Sequence, residues 1–152
     1  MKHTSGWLLL RVACLVSLLA MALPALPARA QTFAYVTNVF ASTVSVIDTA
    51  SNTVTATVAV GSGPFGLAIT PDGTRAYIAN LFDNTLSVID TASNTVVATV
   101  ALGNGPRAVA ITPDGTRAYV TGGPVSVIDT ASNTVTATVA VGTPDGCGWL
   151  DI

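Results

Sequence analysis

An internal repeat constrains the fold of this chain more than any other feature of its sequence. The 18-residue stretch VSVIDTASNTVTATVAVG begins at Val44 and recurs unchanged from Val125, and LSVIDTASNTVVATVALG begins at Leu86. A second block, GPFGLAITPDGTRAYIAN from Gly63, returns as GPRAVAITPDGTRAYVTG from Gly105, which is 42 residues later. Repetition with a period near forty residues indicates stacked copies of one supersecondary unit.

Each copy predicts four short strands. Residues 53–60 alternate with a period of two, which predicts a half-buried strand with Val54, Ala56, Val58 and Val60 on one face. Residues 43–48 predict a strand covered on both faces, and residues 66–70 and 75–80 predict the other two. The TASN and Pro-Asp-Gly segments between them predict turns, because Asn and Gly tolerate a positive φ. We find no apolar period typical of a helix after residue 30.

These segments resemble the YVTN family of β-propeller repeats. Residues 35–38 read YVTN, and the variants YIAN and YVTG follow at Tyr77 and Tyr119. With the TVSVID and NTVVATV strands and the TPDG turn, the resemblance extends over residues 33–146. It implies an all-β fold in which four antiparallel strands form each blade, and it implies a ring of seven blades.

The number of copies predicts only part of such a ring. One copy lacks its first strand and two are complete, so we expect a partial β-propeller of about three four-stranded antiparallel blades, with 11 strands, after an N-terminal signal helix. Because a propeller closes with about four to eight blades, we expect other copies of this chain, or a longer propeller, to complete it. The predicted segments are an incomplete blade at 31–61, blades at 62–103 and 104–142, and the broken start of a further blade at 143–152.

Residues 1–30 have the pattern of a secretory signal peptide. Lys2 and Arg11 form the positively charged n-region, residues 12–23 are apolar, and Ala28-Arg29-Ala30 is a small-x-small cleavage site. We therefore predict cleavage after Ala30, no membrane span afterwards, and a secreted, periplasmic or cell-surface location. Cys14 also raises the alternative of a lipid-modified cysteine, but Arg11 stands where that motif needs Leu.

The composition after residue 30 excludes several kinds of function. It contains three Arg and eight Asp, with no Lys, His or Glu, so the net charge is −5 and nucleic acid is not an expected partner. Without His, neither a catalytic triad nor a haem site of the d1-type propellers can be built, and Cys147 has no partner for an intrachain disulfide. We predict no catalytic residue, metal or cofactor. A propeller enzyme of the lactonase or lyase kind remains an alternative by architecture alone.

Three motifs have both a functional and a structural interpretation. Gly61–Gly66 matches the dinucleotide fingerprint G-x-G-x-x-G, but a predicted strand follows, so we expect a turn between blades. Arg75 and Arg117 could grip a carboxylate, yet pairing with a neighbouring Asp or solvation is the expected state. The repeated carboxylates could act in acid–base catalysis but are expected to cap turns; they are Asp48, Asp72, Asp90, Asp114, Asp129 and Asp145.

Differences between the copies identify the candidate binding residues. The connections between blades and between the second and third strands are expected at the same end of the molecule, where aromatic, amide and charged residues vary between copies. Such residues suit a protein or polar surface ligand, so we predict a non-catalytic interaction scaffold. Neutral drift, or Phe packing beneath the loops, would also explain the pattern. A non-functional fragment of a longer seven-bladed protein is an alternative to the scaffold. The candidates are Asn38, Phe40, Phe65, Asn80, Phe82, Asp83 and Arg107.

Overall fold

The computed structural model of the protein describes residues 32–103 and 105–141. The predicted signal helix, its cleavage site and the broken blade at 143–152, including Cys147, lie outside these residues. In the described part, no helix has the length and apolar character that crossing a membrane requires.

The described residues form eleven strands in three antiparallel sheets. The first sheet has the order β1-β2-β3, the second β4-β5-β6-β7, and the third β8-β9-β10-β11. This confirms the prediction of an all-β chain with one three-stranded and two four-stranded blades. The strands are β1 Phe33–Asn38, β2 Thr43–Asp48, β3 Thr53–Ala59, β4 Pro64–Ile69, β5 Arg75–Asn80, β6 Thr85–Asp90, β7 Thr95–Ala101, β8 Val109–Ile111, β9 Arg117–Val120, β10 Val125–Asp129 and β11 Thr134–Val139.

The turns between strands have the backbone geometry that their sequences predict. The Asn of each TASN segment has a positive φ of 54°, at Asn52, Asn94 and Asn133. The Gly of each described Pro-Asp-Gly turn is also left-handed, with φ of 73° at Gly73 and 72° at Gly115. Because Asn and Gly adopt this region at low cost, the repeated turn residues fix where each strand ends.

A β-bulge makes the predicted alternation of residues 53–60 wrong at its start. Val46 pairs with Ala56 but Ile47 pairs with Val54, so Thr55 is an extra residue in β3. The bulge turns Val54 outward and leaves it exposed, whereas Val58 is buried as expected. The strand also ends at Ala59, one residue before Val60.

Two apolar clusters join the three sheets, and the second sheet contributes to both. One cluster packs the first sheet against the second, and the other packs the second sheet against the third. The second sheet is therefore packed on both faces, while each outer sheet packs on one neighbouring sheet among the described residues. The first cluster contains Val44, Val46 and Val58 with Ala76, Ile78 and Ile89, and the second contains Tyr77, Ala79, Leu86, Val88 and Val100 with Val109, Ala118, Val120 and Ile128.

The innermost strands approach closely enough to require a glycine. β4 lies against both β1 and β8. A Cβ on Gly66 would collide with the backbone carbonyl of Arg107 and would lie 2.8 Å from the Cα of Ala108. Backbone atoms cannot move aside as a flexible side chain can, so only glycine fits at this point of β4.

Candidate functional site

Five connections lie together at one end of the sheets, which we call the loop end. In an antiparallel meander successive turns alternate between the two ends, so the connection between sheets returns to the same end as the turn between the second and third strands. This is the arrangement expected from the sequence. The loop end consists of residues 39–42, 60–63, 81–84, 102–108 without 104, and 121–124.

The turn between β5 and β6 is fastened to the connection that precedes its sheet. The backbone N–H of Leu81 donates to the Gly63 carbonyl at 2.8 Å, and that of Phe82 donates to the Ser62 carbonyl at 3.1 Å. The Asp83 carboxylate accepts a hydrogen bond of 2.6 Å from the Ser62 N–H. These three bonds hold residues 81–83 in place, and the Asp83 side chain links the β5–β6 turn to the connection before β4.

The same turn also contacts the connection that follows its sheet. The side-chain oxygen of Asn84 accepts from the Gly105 N–H at 2.7 Å, and its carbonyl accepts from the Leu102 N–H at 2.9 Å. Asn84 has φ of 56°, which turns its side chain toward the next sheet. Asn84 was not among the predicted site residues. The signal that could have identified it is the shorter turn of the third copy, which has no Asn at this position.

The three predicted phenylalanines are exposed, two of them in turns of the loop end and Phe65 next to it in β4. Phe40 is 97% exposed in the β1–β2 turn, and Phe82 is 60% exposed in the β5–β6 turn. Phe65, at the start of β4, is also largely exposed, and its carbonyl accepts from the Thr37 hydroxyl at 3.1 Å. Phe82 lies directly over Gly63, where a Cβ would be 2.5 Å from the ring. Packing beneath the loops therefore does not account for Phe40.

Arg107 is the exposed cation of this end, and it lies in the connection before β8. Its backbone N–H donates to the Thr121 carbonyl at 2.7 Å, and its own carbonyl is the group that Gly66 approaches. The backbone of Arg107 is thus fixed by its two neighbours.

The side-chain amides of the two predicted asparagines are hydrogen-bonded within their own hairpins. Asn80 is fully buried, and its side-chain N–H₂ donates to the hydroxyls of Thr85 at 2.9 Å and Ser87 at 2.8 Å. Asn38 repeats this pattern with Thr43 and Ser45 in the first sheet. Both amides therefore hold the hairpin closed, and the available polar surface of the loop end is smaller than the sequence suggested.

The glycines of the G-x-G-x-x-G motif have structural roles. Gly61 lies against the Asn80 side chain, Gly63 has φ of 68° beneath Phe82, and Gly66 touches the next sheet. A strand, β4, follows them, so the helix N-terminus that would hold a pyrophosphate is not formed. The prediction of a turn between blades is confirmed.

The repeated carboxylates of the described Pro-Asp-Gly and TASN turns lie at the opposite end, where they accept hydrogen bonds from their own turns. Asp72 accepts from the Thr70 hydroxyl at 2.6 Å and from the Thr74 N–H at 3.0 Å, and Asp114 is bound in the same way by Thr112 and Thr116. These bonds, first of all those from the Thr70 and Thr112 hydroxyls, lower the pKa of both carboxyl groups. They line an open depression of about 260 Å³.

The carboxylates of the TASN turns are held likewise. Asp90 accepts from the Ser93 N–H at 2.8 Å and Asp129 from the Ser132 N–H at 2.8 Å, and these bonds lower the pKa of each. Asp48 accepts from the Ala50 N–H at 2.7 Å. The predicted role of these residues in capping turns is confirmed. Among the residues described, no three His, Cys, Asp or Glu side chains form a group that could hold a metal.

Comparison with known families identifies the fold. The model of the YNCE-like beta-propeller family matches residues 4–123, which is more than half of the chain. The chain belongs to this family. A comparison of this YNCE-like chain with curated proteins gives no match.

Solved structures with a similar fold include much longer chains. The YNCE-like chain is similar to hydrazine synthase of Kuenenia stuttgartiensis, with 28% identity over 73% of this chain and 33% of that one, and a TM-score of 0.72. A functionally unknown protein of Desulfotomaculum acetoxidans has 25% identity, coverage of 72% and 37%, and a TM-score of 0.59. Dihydro-heme d1 dehydrogenase NirN has 22% identity, coverage of 70% and 24%, and a TM-score of 0.63, a likeness of fold alone. The chain thus spans about a third of the hydrazine synthase chain.

Proposed function

We propose that this β-propeller chain is an exported, non-catalytic interaction protein whose loop end binds another protein or a polar surface ligand. The observation that carries the proposal is the exposure of Phe40, Phe65 and Phe82 at one end of the sheets. Surface aromatic rings supply a large contact area at low cost in side-chain entropy, and they dominate many binding surfaces.

The hydrogen bonds of the loop end support binding by a preformed surface. Asp83 holds the turn that carries Phe82, and Thr37 bonds to the carbonyl of Phe65. Arg107, in the connection before β8, adds a positive charge to the same end of an otherwise acidic chain. A ligand with an apolar part and an acidic or carbonyl group fits this combination.

We further infer that the chain is a YVTN-type member of its family and is secreted, periplasmic or bound at the cell surface. The inference rests on the YVTN segment at residues 35–38 and on the signal-peptide pattern of residues 1–30. A proteomic comparison of culture medium, periplasm and cytoplasm of the native host tests it. A protein that is found only in the cytoplasmic fraction and still carries residues 1–30 would contradict it.

A second candidate is that the chain represents part of a longer seven-bladed propeller. The relative lengths favour it, because the chain covers only 33% and 37% of two similar structures. In contrast, a lactonase- or lyase-like activity has no specific support, since the carboxylates of the described turns are engaged by Thr, Ser and backbone groups.

Binding at the loop end is tested with the full chain and two matched triple variants. The first replaces Phe40, Phe65 and Phe82 by Ser. The control replaces three exposed valines outside the loop end by Ser, at Val54, Val97 and Val135. Each protein is used to recover partners from a cell-envelope extract of the native host, and the affinity of the recovered partner is then measured by calorimetry.

We expect a partner that binds the wild type and the valine control equally and binds the phenylalanine variant at least about tenfold more weakly, since each lost aromatic anchor costs on the order of 1–2 kcal/mol. A partner that binds all three proteins equally would contradict the assignment of the loop end. Recovery of no specific partner would also contradict the proposed binding at the loop end.

A further inference from the structure

The outer faces of the first and third sheets are built from residues that are buried elsewhere in the chain. In the first sheet, Ala34, Val36 and Ile47 point away from the second sheet, because Tyr35, Val44 and Val46 on the alternate positions pack toward it. We call these three residues the Ala-Val-Ile face. Val36 is 45% exposed, whereas Ile78, at the equivalent position of the second sheet, is 0% exposed.

The outer face of the third sheet consists of the residues whose equivalents in the first sheet point inward. Ala118, Val120 and Ile128 pack toward the second sheet, so Tyr119, Val125, Val127 and Val139 form its outer face, which we call the Tyr-Val face. Val139 is 47% exposed, although its equivalent Val100 is 7% exposed. Tyr119 and Val125 are half-buried and Val127 is buried, so this face is open mainly at its outer strand.

Each outer face has an internal duplicate with the same residues. The Tyr-Val face duplicates the inner face of the first sheet, where Tyr35, Val44, Val46 and Val58 pack on the second sheet. The Ala-Val-Ile face duplicates the inner face of the third sheet, where Ala118, Val120 and Ile128 pack on the second sheet. A face of the Tyr-Val kind therefore meets a face of the Ala-Val-Ile kind, or its close variant, at both interfaces within the chain.

We propose that the Tyr-Val face of one copy of this chain packs on the Ala-Val-Ile face of a second copy, head to tail. The contact continues the stacking of the three sheets across the boundary between two chains. It is heterologous, because two different surfaces meet, so further copies can add until a ring closes. The proposal concerns a surface different from the loop end and does not depend on binding there.

A hydrogen bond between sheets is made at one of the two interfaces within the chain, and the proposed contact can repeat it; at the other interface the Tyr35 hydroxyl has no partner among the described residues. Within the chain, the Tyr77 hydroxyl of the second sheet bonds to the Asn133 side-chain oxygen of the third at 3.0 Å and to the Thr130 carbonyl at 3.3 Å. Tyr119 holds the place of Tyr77 on the open face. Asn52, with the same φ of 54° as Asn133, holds the place of the acceptor in the first sheet of the second copy.

The proposal predicts complementation between two variants of the exported full chain. Val36→Asp places a charge on the Ala-Val-Ile face, and Val139→Asp places one on the Tyr-Val face, where burial of an unpaired carboxylate opposes contact. Val97→Asp is the control, since Val97 is an exposed residue of the second sheet on neither face. Masses are measured by sedimentation equilibrium, and β-sheet content by circular dichroism.

We expect the wild type and Val97→Asp to form the same oligomer and each single face variant to be a monomer. An equimolar mixture of Val36→Asp and Val139→Asp should restore a two-chain particle, because each retains the face that the other lacks. If an Asp variant loses its β-sheet signal, Val36→Thr and Val139→Thr replace the pair, and each is expected to weaken association at least tenfold.

Three results would overturn the proposal. A monomeric wild type would mean that the rest of its own chain, or another protein, covers the faces. Single variants that keep the wild-type mass would place the contact elsewhere. A mixture that stays monomeric while both components are folded would exclude a head-to-tail contact.

Discussion

The second sheet and the two outer sheets have nearly the same sequence but differ in how much of it is buried. Ile89 of the second sheet is fully buried, whereas Ile47 at the equivalent position of the first sheet is half-buried. The second sheet has a neighbour on each face, and each outer sheet packs on one neighbour within the described residues. The apolar pattern of a repeat thus specifies which side chains of a blade can be buried. Whether they are buried depends on the neighbouring blades.

The largest expected difference comes from removing the same side chain in the two positions. Ile89→Ala should lower the free energy of unfolding by about 2–5 kcal/mol, because it leaves a cavity between two sheets. Ile47→Ala should cost less than half as much, since its side chain is already partly hydrated. Urea denaturation at protein concentrations too low for self-association measures both. Equal effects would show that the outer face of the first sheet is covered as fully as the second sheet.

The close approach of β4 to the third sheet gives the next largest effect. Gly66→Ala should destabilise the protein by about 1–3 kcal/mol, because its Cβ meets backbone atoms that cannot yield. Gly103→Ala is the control, as no atom lies within 4 Å of its added Cβ. Thermal unfolding followed by circular dichroism compares them. If both variants melted at the same temperature, the contact between β4 and the third sheet would be looser than described.

Two tyrosines at equivalent positions should respond differently to loss of the hydroxyl. Tyr77→Phe removes the bonds to Asn133 and Thr130 and should cost about 1 kcal/mol. Tyr35→Phe should be neutral or slightly stabilising, because the buried Tyr35 hydroxyl has no hydrogen-bond partner among the described residues. Urea denaturation distinguishes the two variants. A loss of stability in Tyr35→Phe equal to that in Tyr77→Phe would contradict the difference between the two interfaces.

The smallest effect per residue is the response of the turns to acid. Hydrogen bonds lower the pKa of Asp72, Asp90, Asp114 and Asp129 below the ordinary value of 3.8. A lowered pKa in the folded state contributes stability above pH 3.8, and that contribution is lost as the pH falls through the folded-state values. The urea midpoint should therefore be steady above pH 5 and fall below pH 4. Asp72→Asn should reduce the size of this fall, and an unchanged fall would mean that other groups cause it.

Much of the fold could be predicted because the residue types in each turn determine its backbone conformation. The Asn and Gly residues of the turns, together with the β-branched strands, predicted the ends of β2 and β5 correctly. The bulge at Thr55 was not predicted, since residues 53–60 alternate strictly and the extra residue is visible only in the pairing of β3 with β2. For the candidate site, the aromatic residues were predicted to be on loops, but Asn80 was not predicted to be buried. The last residue of a strand and the first of a loop look alike until the hydrogen bonds to Thr85 and Ser87 are seen.

The unchanged repetition of Val44–Gly61 at Val125–Gly142 affects how the chain reaches its folded state. During folding, β10 can pair with β1 as β2 does, with β11 taking the place of β3, because these strands contain the same residues. The native and non-native pairings are therefore similar in free energy. The shorter turn of residues 121–124 and the order of the strands along the chain favour the native one. Refolding from denaturant should therefore pass through misregistered species that disappear slowly, as in other proteins with nearly identical neighbouring repeats.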